Sequence, residues 1–200
     1  MEQKLSRAAF ILTGGRSSRM GTDKAFLNFG AQTLVERALT VVAAVCPQVA
    51  IVGDPAKFSR YGAVIEDVYR DSGPLAGIHA ALLQSPAELN LMLAVDMPFI
   101  SQDLLAFLFT CAANTSALVT VPRIGRGFQP LCAVYRTGFA TAAEHALRAG
   151  KNKIDAAFAG LPIRVVEESE LEAGDFSARL FLNVNTPEDL RTAQSDSLWG

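Results

Sequence analysis

The chain predicts an α/β fold with a mostly parallel central sheet and helices on both faces, and three observations carry that prediction. Short apolar runs alternate with segments of helical apolar spacing from residue 8 to residue 95. One run, Leu89-Asn90-Leu91-Met92-Leu93-Ala94-Val95, is nearly continuous, as in a strand covered on both faces. A glycine-rich, cation-rich segment follows the first run directly, at the strand end where ligands of open parallel sheets bind.

Ala8-Ala9-Phe10-Ile11-Leu12 reads as the first buried strand. Leu34, Val35, Ala38, Leu39 and Val42 give Thr33–Val45 a helical face that ends before Pro47, and Val49–Val52 is the next strand. Ala63–Ile65 is a short strand, Leu75–Leu83 a helix, and Leu89–Val95 the central strand. Ser101 caps a helix running to Phe109. Leu118–Val121 and Leu131–Tyr135 read as strands and Thr137–Arg148 as a helix. Pro162–Val166 and Phe181–Val184 read as strands, and Thr186-Pro187-Glu188-Asp189 has the cap, proline and acids that open a last helix. The acidic stretch Glu167, Glu168, Glu170, Glu172 and Asp175 reads as a solvated loop.

With 200 residues and 50% hydrophobic content, the chain suits one domain spanning residues 1–200. A net charge of -2 and a pI near 5.7 argue against a nucleic-acid partner. Neither a signal core at Met1–Arg7 nor an apolar run approaching the ~20 residues of a membrane helix is present, so a cytoplasmic protein with no membrane partner is expected. Cys46, Cys111 and Cys132 are odd in number and far apart, which fits buried free thiols rather than disulfides or a zinc site. His79 and His145 fall in helical patterns and read as helix residues, not catalytic bases.

The segment Leu12-Thr13-Gly14-Gly15-Arg16-Ser17-Ser18-Arg19-Met20-Gly21-Thr22-Asp23-Lys24 has the chemistry of a phosphate site. Gly14 and Gly15 allow a sharp turn with backbone N–H groups facing an anion, and Arg16, Arg19 and Lys24 add charge. Five residues separate Gly15 from Gly21 and Ala25 follows Lys24, which excludes a P-loop. The dinucleotide fingerprint Gly-x-Gly-x-x-Gly is absent, which argues against a dinucleotide-dependent oxidoreductase.

The carboxyl ends of the other strands nominate further residues. Asp96 follows an apolar run directly, where a carboxylate is costly to bury without a cation or donors; a magnesium ion would compensate it, and a turn or cap before Pro98 would also place an aspartate there. Asp67 would either hydrogen-bond a nucleoside or cap a turn. Gly73-Pro74-Leu75-Ala76-Gly77 either admits a flat ring or starts a tightly packed helix. Gly125-Arg126-Gly127-Phe128-Gln129-Pro130 is either an acceptor-side loop or a plain hairpin.

Taken together, Leu12-Thr13-Gly14-Gly15 through Asp23-Lys24, Gly73–Gly77, Leu93-Ala94-Val95-Asp96-Met97-Pro98 and Asn183-Val184-Asn185-Thr186-Pro187-Glu188-Asp189 resemble the molybdenum cofactor guanylyltransferases, from about residue 8 to residue 194. The resemblance implies a Rossmann-like three-layer nucleotidyltransferase fold, with a nucleotide-binding half at about 8–100 and an acceptor-binding half at about 101–194. It implies transfer of GMP from GTP to molybdenum-bound molybdopterin with Mg2+ as cofactor, releasing pyrophosphate. Further partners implied are other molybdenum cofactor biosynthesis proteins and molybdoenzyme apoproteins.

Carried over by position, Leu12, Thr13, Gly14 and Gly15 would line the nucleotide, as would Gly73, Pro74 and Leu75. Arg19 and Lys24 would sit on the triphosphate, and Asp67 on the nucleoside. Asp96 would bind magnesium with Asn185, while Asn183, Asn185 and Gln129 would face the pterin. Thr13 stands where the family carries alanine, and Val52-Gly53 stands where some members carry an asparagine. Rival readings are a cytidylyltransferase acting on the same pterin, a sugar-phosphate nucleotidyltransferase, and a non-catalytic GTP-binding cofactor-delivery module.

Overall fold

The computed structural model describes residues 5–14, 23–67, 69, 72–184, 188, 189 and 191. Its first half alternates as the sequence predicts: strand β1 (Arg7–Leu12), a small hairpin of β2 (Asn28–Phe29) and β3 (Gln32–Thr33), helix α1 (Leu34–Ala43), β4 (Gln48–Val52), α2 (Pro55–Phe58), β5 (Ala63–Ile65), α3 (Pro74–Gln84) and β6 (Leu89–Ala94). The second half runs α4 (Gln102–Ala113), β7 (Val119–Ile124), β8 (Gly127–Phe128), β9 (Cys132–Tyr135), α5 (Phe139–Arg148), β10 (Ile163–Val166) and α6 (Glu168–Ala173).

Local chemistry sets the helix starts. Thr33 and Glu36 form a reciprocal capping box on α1, and the Ser101 hydroxyl accepts from the Leu104 amide to cap α4. Gly73, at φ 73°, turns the chain into Pro74 at the head of α3, a backbone conformation that side chains rarely adopt.

The main sheet has the order β10-β7-β9-β6-β1-β4-β5, with β8 paired to β7. β6, β1, β4 and β5 are mutually parallel, so the ends of β1, β4 and β6 lie side by side at Leu12, Val52 and Ala94. β9 is antiparallel to both β6 and β7, which lets β7 and β10 continue parallel to the first group. Alternation along β1 then divides the core. Ala9 and Ile11 pack with α1 and α4, whereas Ala8, Phe10 and Leu12 pack with α3 and α5. The result is the expected three-layer α/β/α architecture, and the fully buried run Leu89–Ala94 is its central strand.

Two expectations need correction. Phe181–Val184 is not a strand: Ala178–Phe181 is a 3-10 turn, and the chain beyond it runs without a ladder partner. Phe181 and Val184 are buried at 6% and 1% exposure while Leu182 and Asn183 between them are exposed, a spacing of three that a strand does not show. The acidic stretch is not a solvated loop but helix α6. Glu167 and Glu170 form a capping box, and Arg123 and Arg164 pair with Glu167 and Glu170. Gly125-Arg126 is the turn of the β7–β8 hairpin, the hairpin reading raised for that segment, and the Gln129 backbone N–H donates to the Pro122 carbonyl at 2.8 Å. The helix expected from Thr186-Pro187 begins outside the described residues.

Two of the three thiols, Cys46 and Cys132, are buried as expected; Cys111 is not, being partly exposed, and all three are free. His79 and His145 lie on α3 and α5. Among the described residues no helix is long and apolar enough to cross a membrane.

Candidate active site

At the carboxyl ends of β1, β4 and β6 the chain cannot continue the ladder, and the backbone groups released there define a cleft. Its narrow floor, about 70 Å³, is lined by Leu12, Thr13 and Gly14 leaving β1, by Lys24 and Pro74, by Ala94, Val95 and Asp96 leaving β6, and by Leu131. The Val95 amide donates to the Leu12 carbonyl at 3.1 Å and the Ala94 amide to the Leu131 carbonyl at 2.8 Å, which fixes the three segments against each other. A larger open depression of about 520 Å³ lies at the opposite end of the sheet, around Ala113–Ser116 and Arg136. There Arg136 donates to the Ala112 and Thr115 carbonyls at the end of α4, a structural role.

Asp96 is the electrostatic centre of the cleft. Burial pushes its carboxyl above the ordinary 3.8, while the Lys24 ammonium, with Nζ 3.8 Å from Oδ2, acts in the opposite direction. Sequence-distant chain closes over it, since the Val184 amide donates to the Asp96 carbonyl at 2.8 Å. Asn183, the residue before Val184, is exposed. Phe99 and buried Val184 support the segment from beneath as a small apolar cluster.

Lys24 is presented by a 3-10 turn, Lys24–Phe26, whose cap is Asp23: its Oδ1 accepts from the Ala25 amide. Ala25 is fully buried, which leaves the flanking Lys24 side chain at the cleft. Asp67 follows β5, beside Gly77 of α3, and is not among the residues that line the floor. Its Oδ1 is buried with no hydrogen-bond partner among the described residues, and burial pushes its pKa up. A methyl on Gly77 would stand 3.3 Å from that oxygen, 2.9 Å from Leu12 Cδ2 and 3.2 Å from Val52 Cγ1. Gly77 therefore lets α3 lie tight on β1 and β4, which is the packing alternative raised for Gly73–Gly77.

Thr13 and Gly53 interlock. The Thr13 amide and hydroxyl both donate to the Val52 carbonyl, at 3.1 and 2.9 Å. A Cβ on Gly53 would lie 2.1 Å from Thr13 Oγ1, so the hydroxyl occupies the space into which a side chain at 53 would emerge. The two departures from the resembled family are thus one packing arrangement.

Of the residues singled out from sequence, Leu12, Thr13, Gly14, Lys24, Pro74 and Asp96 meet on this cleft. Gly73 flanks it, and the Leu75 side chain is fully buried in the core, so only its backbone can face a ligand. Gln129 lies two residues before the lining residue Leu131. Gly15, Arg19 and Asn185 lie outside the described residues. Sequence reasoning missed the Val184 bond to Asp96 and the pairing of Lys57 with Asp23 at 2.9 Å, contacts between residues far apart in the chain that have no local signature.

Neither histidine serves the cleft. His145 is exposed on α5, and His79 is buried at 3% exposure with its ring edge-on to Tyr69. Among the described residues no three His, Cys, Asp or Glu side chains cluster to hold a metal. An ion at Asp96 would therefore draw most of its ligands from substrate and water, which is how Mg2+ is held in phosphate-transfer sites.

The family model for the MobA-like NTP transferase domain matches residues 9–163. A protein of Pelotomaculum thermopropionicum with the name "Probable molybdenum cofactor guanylyltransferase" is 38% identical over 95% of this chain and 93% of its own length. The molybdenum cofactor guanylyltransferase of Desulfosudis oleivorans is 33% identical over 92% of this chain and 93% of its own. The crystal structure of molybdopterin-guanine dinucleotide biosynthesis protein A from Archaeoglobus fulgidus superimposes with a TM-score of 0.82 at 28% identity, covering 94% and 96% of the two chains. A cytidylyltransferase from Thermus thermophilus shares the fold at a TM-score of 0.68 and 21% identity. A cleft at the strand ends and matches along nearly the whole chain agree: the chain belongs to the MobA-like NTP transferase family.

Proposed function

We propose that this chain transfers GMP from GTP to molybdenum-bound molybdopterin, forming the guanine dinucleotide cofactor and pyrophosphate. The observation that carries the reading is the meeting of Lys24 and half-buried Asp96, 3.8 Å apart, at the strand ends beside Leu12-Thr13-Gly14. Relatives named for guanylyl transfer span nearly the full chain and support the choice of donor.

The reaction needs no general base, because a phosphate-ester nucleophile is already anionic near neutral pH. Its oxygen attacks the α-phosphorus in line with the departing pyrophosphate, and the protein's work is positioning and charge neutralisation. Lys24, with Arg19, neutralises charge on the triphosphate. Gly14 and Gly15 bring backbone N–H groups to the phosphates. Asp67 accepts from a donor on the nucleoside, which would satisfy its orphaned Oδ1. Gly73, Pro74 and the Leu75 backbone form the base-side wall. Asp96, with Asn185, would hold Mg2+, which when bound supplies charge neutralisation at the phosphate oxygens. Asn183, Asn185 and Gln129 face the pterin. In this reading one domain divides into a nucleotide half at about 8–100 and an acceptor half at about 101–194, works in the cytoplasm, and exchanges substrate and product with other molybdenum cofactor proteins.

Incubating the purified protein and magnesium with each NTP and molybdopterin, and following pyrophosphate release, tests the reading. GTP-selective, pterin-dependent release is expected. Release with CTP alone, or with a sugar phosphate as acceptor, would reassign the substrate, and GTP binding without release would reassign the chain as a binding module.

A further inference from the structure

Lys24 works from a 3-10 turn only three residues long, and such a turn has little stability of its own. What holds it is a segment about 30 residues further along, just past β4. The Asp23 carboxylate that caps the turn with Oδ1 receives the Lys57 ammonium on Oδ2 at 2.9 Å. The next residue of α2, Phe58, is 2% exposed and stacks on Phe26, the last residue of the turn, with centroids 5.4 Å apart and planes 22° off parallel. Tyr61 lies against the same ring at 6.3 Å, and the Arg60 guanidinium covers it at 5.5 Å. The two ends of the turn are thus gripped by one segment, one through charge and the other through ring stacking.

We propose that Pro55–Tyr61 is a clip that positions Lys24 for phosphate, with Lys57 as its electrostatic latch. The inference rests on the guanylyl-transfer reading for its catalytic consequence. Lys57 never reaches the cleft; it acts through Asp23 and is a positioning residue. Half exposed, its ion pair contributes little to global stability, but releasing it frees the Asp23 carboxylate to leave its cap and lets Lys24 move relative to Asp96. A displacement of about 1 Å at a reacting group can cost as much as ~100-fold in rate.

The test uses the full chain as wild type, K57M, K57R, K24A and K24A/K57M. For K57M we expect a loss of about 10-fold in kcat/KM for GTP, mostly in kcat, with an unchanged melting temperature. K57R, which keeps the charge, should recover most of the rate. In the K24A background the Lys57 change should have no further effect, because the group it positions is gone. Hydrogen exchange at the Phe26 and Leu27 amides, bonded to the Asp23 and Lys24 carbonyls at 3.0 and 2.9 Å, should quicken several-fold in K57M. Unchanged exchange would overturn the latch, and an equal loss on both sides of the K24A cycle would overturn its action through Lys24. Wild-type protein that releases no pyrophosphate would sink the functional reading instead, and the exchange result would still decide the latch.

Discussion

Replacing Gly53 by alanine should destabilise the protein through a single interlock. The new Cβ would meet Thr13 Oγ1 at 2.1 Å, well inside contact distance, and the Phe58 ring at 3.2 and 3.3 Å. Thr13 must then rotate away and lose its hydroxyl bond to Val52, worth about 0.5–1.5 kcal/mol. Crowding Phe58, which is 2% exposed, adds about 1–3 kcal/mol. Gly53 does not have positive φ, so alanine also stiffens the unfolded chain and returns about 0.4–1 kcal/mol. The net is about 2 kcal/mol, a fall in Tm of roughly 4–8 °C for a chain of this size. Differential scanning calorimetry on wild type, G53A, T13A and T13A/G53A, without nucleotide, measures it. Once Thr13 is alanine the hydroxyl clash is gone, so G53A should cost about 1 kcal/mol less in that background. The same cost in both backgrounds would refute the interlock.

Other outcomes follow from the charges of the cleft. Asp96→Asn should abolish pyrophosphate release while leaving the fold intact, and near-normal turnover would remove Asp96 from the metal site. The same variant should be more stable than wild type at neutral pH. Burial raises the Asp96 pKa, so its ionised form costs stability that appears as pH rises above the ordinary 3.8 and reaches its full extent beyond the raised value. Thermal melts from acid to neutral pH should therefore show the advantage of Asp96→Asn growing upward, and an advantage independent of pH would contradict the sign. Lys24→Ala should lower kcat/KM for GTP by about 10- to 100-fold, checked by pyrophosphate release. Burial pushes the Cys46 and Cys132 thiols up to about 12, so an aromatic disulfide reagent should label the native protein rapidly at Cys111 alone. Rapid labelling at all three would show that the core opens.

Some elements were legible because their cause is local. The Ser101 cap, Pro74 at the head of α3, and the apolar run of β6 each announce themselves within a few residues, and all appear where the sequence predicts them. Gly14 and Asp96 were legible as candidate residues for the same reason, since each closely follows an apolar run, whereas Lys24 stands twelve residues past Leu12 and was legible only through its cation-rich segment. The misread elements have distant causes. α6 exists with its acids paired because Arg123 and Arg164 arrive from β7 and β10. Phe181 and Val184 are apolar because they pack into the buried clusters, yet no strand pairs with their segment.

The sequence by itself determined the alternation of strands and helices, the family, and the residue types available for phosphate. Those depend on periodicity and on motifs that act over a few residues. Only the tertiary structure decided that β9 runs antiparallel between β6 and β7, that Val184 closes on Asp96, that Thr13 fills the space over Gly53, and that Lys57 holds Asp23. Each is a contact across tens of residues, set by which strands become neighbours, and strand order leaves no trace in local spacing.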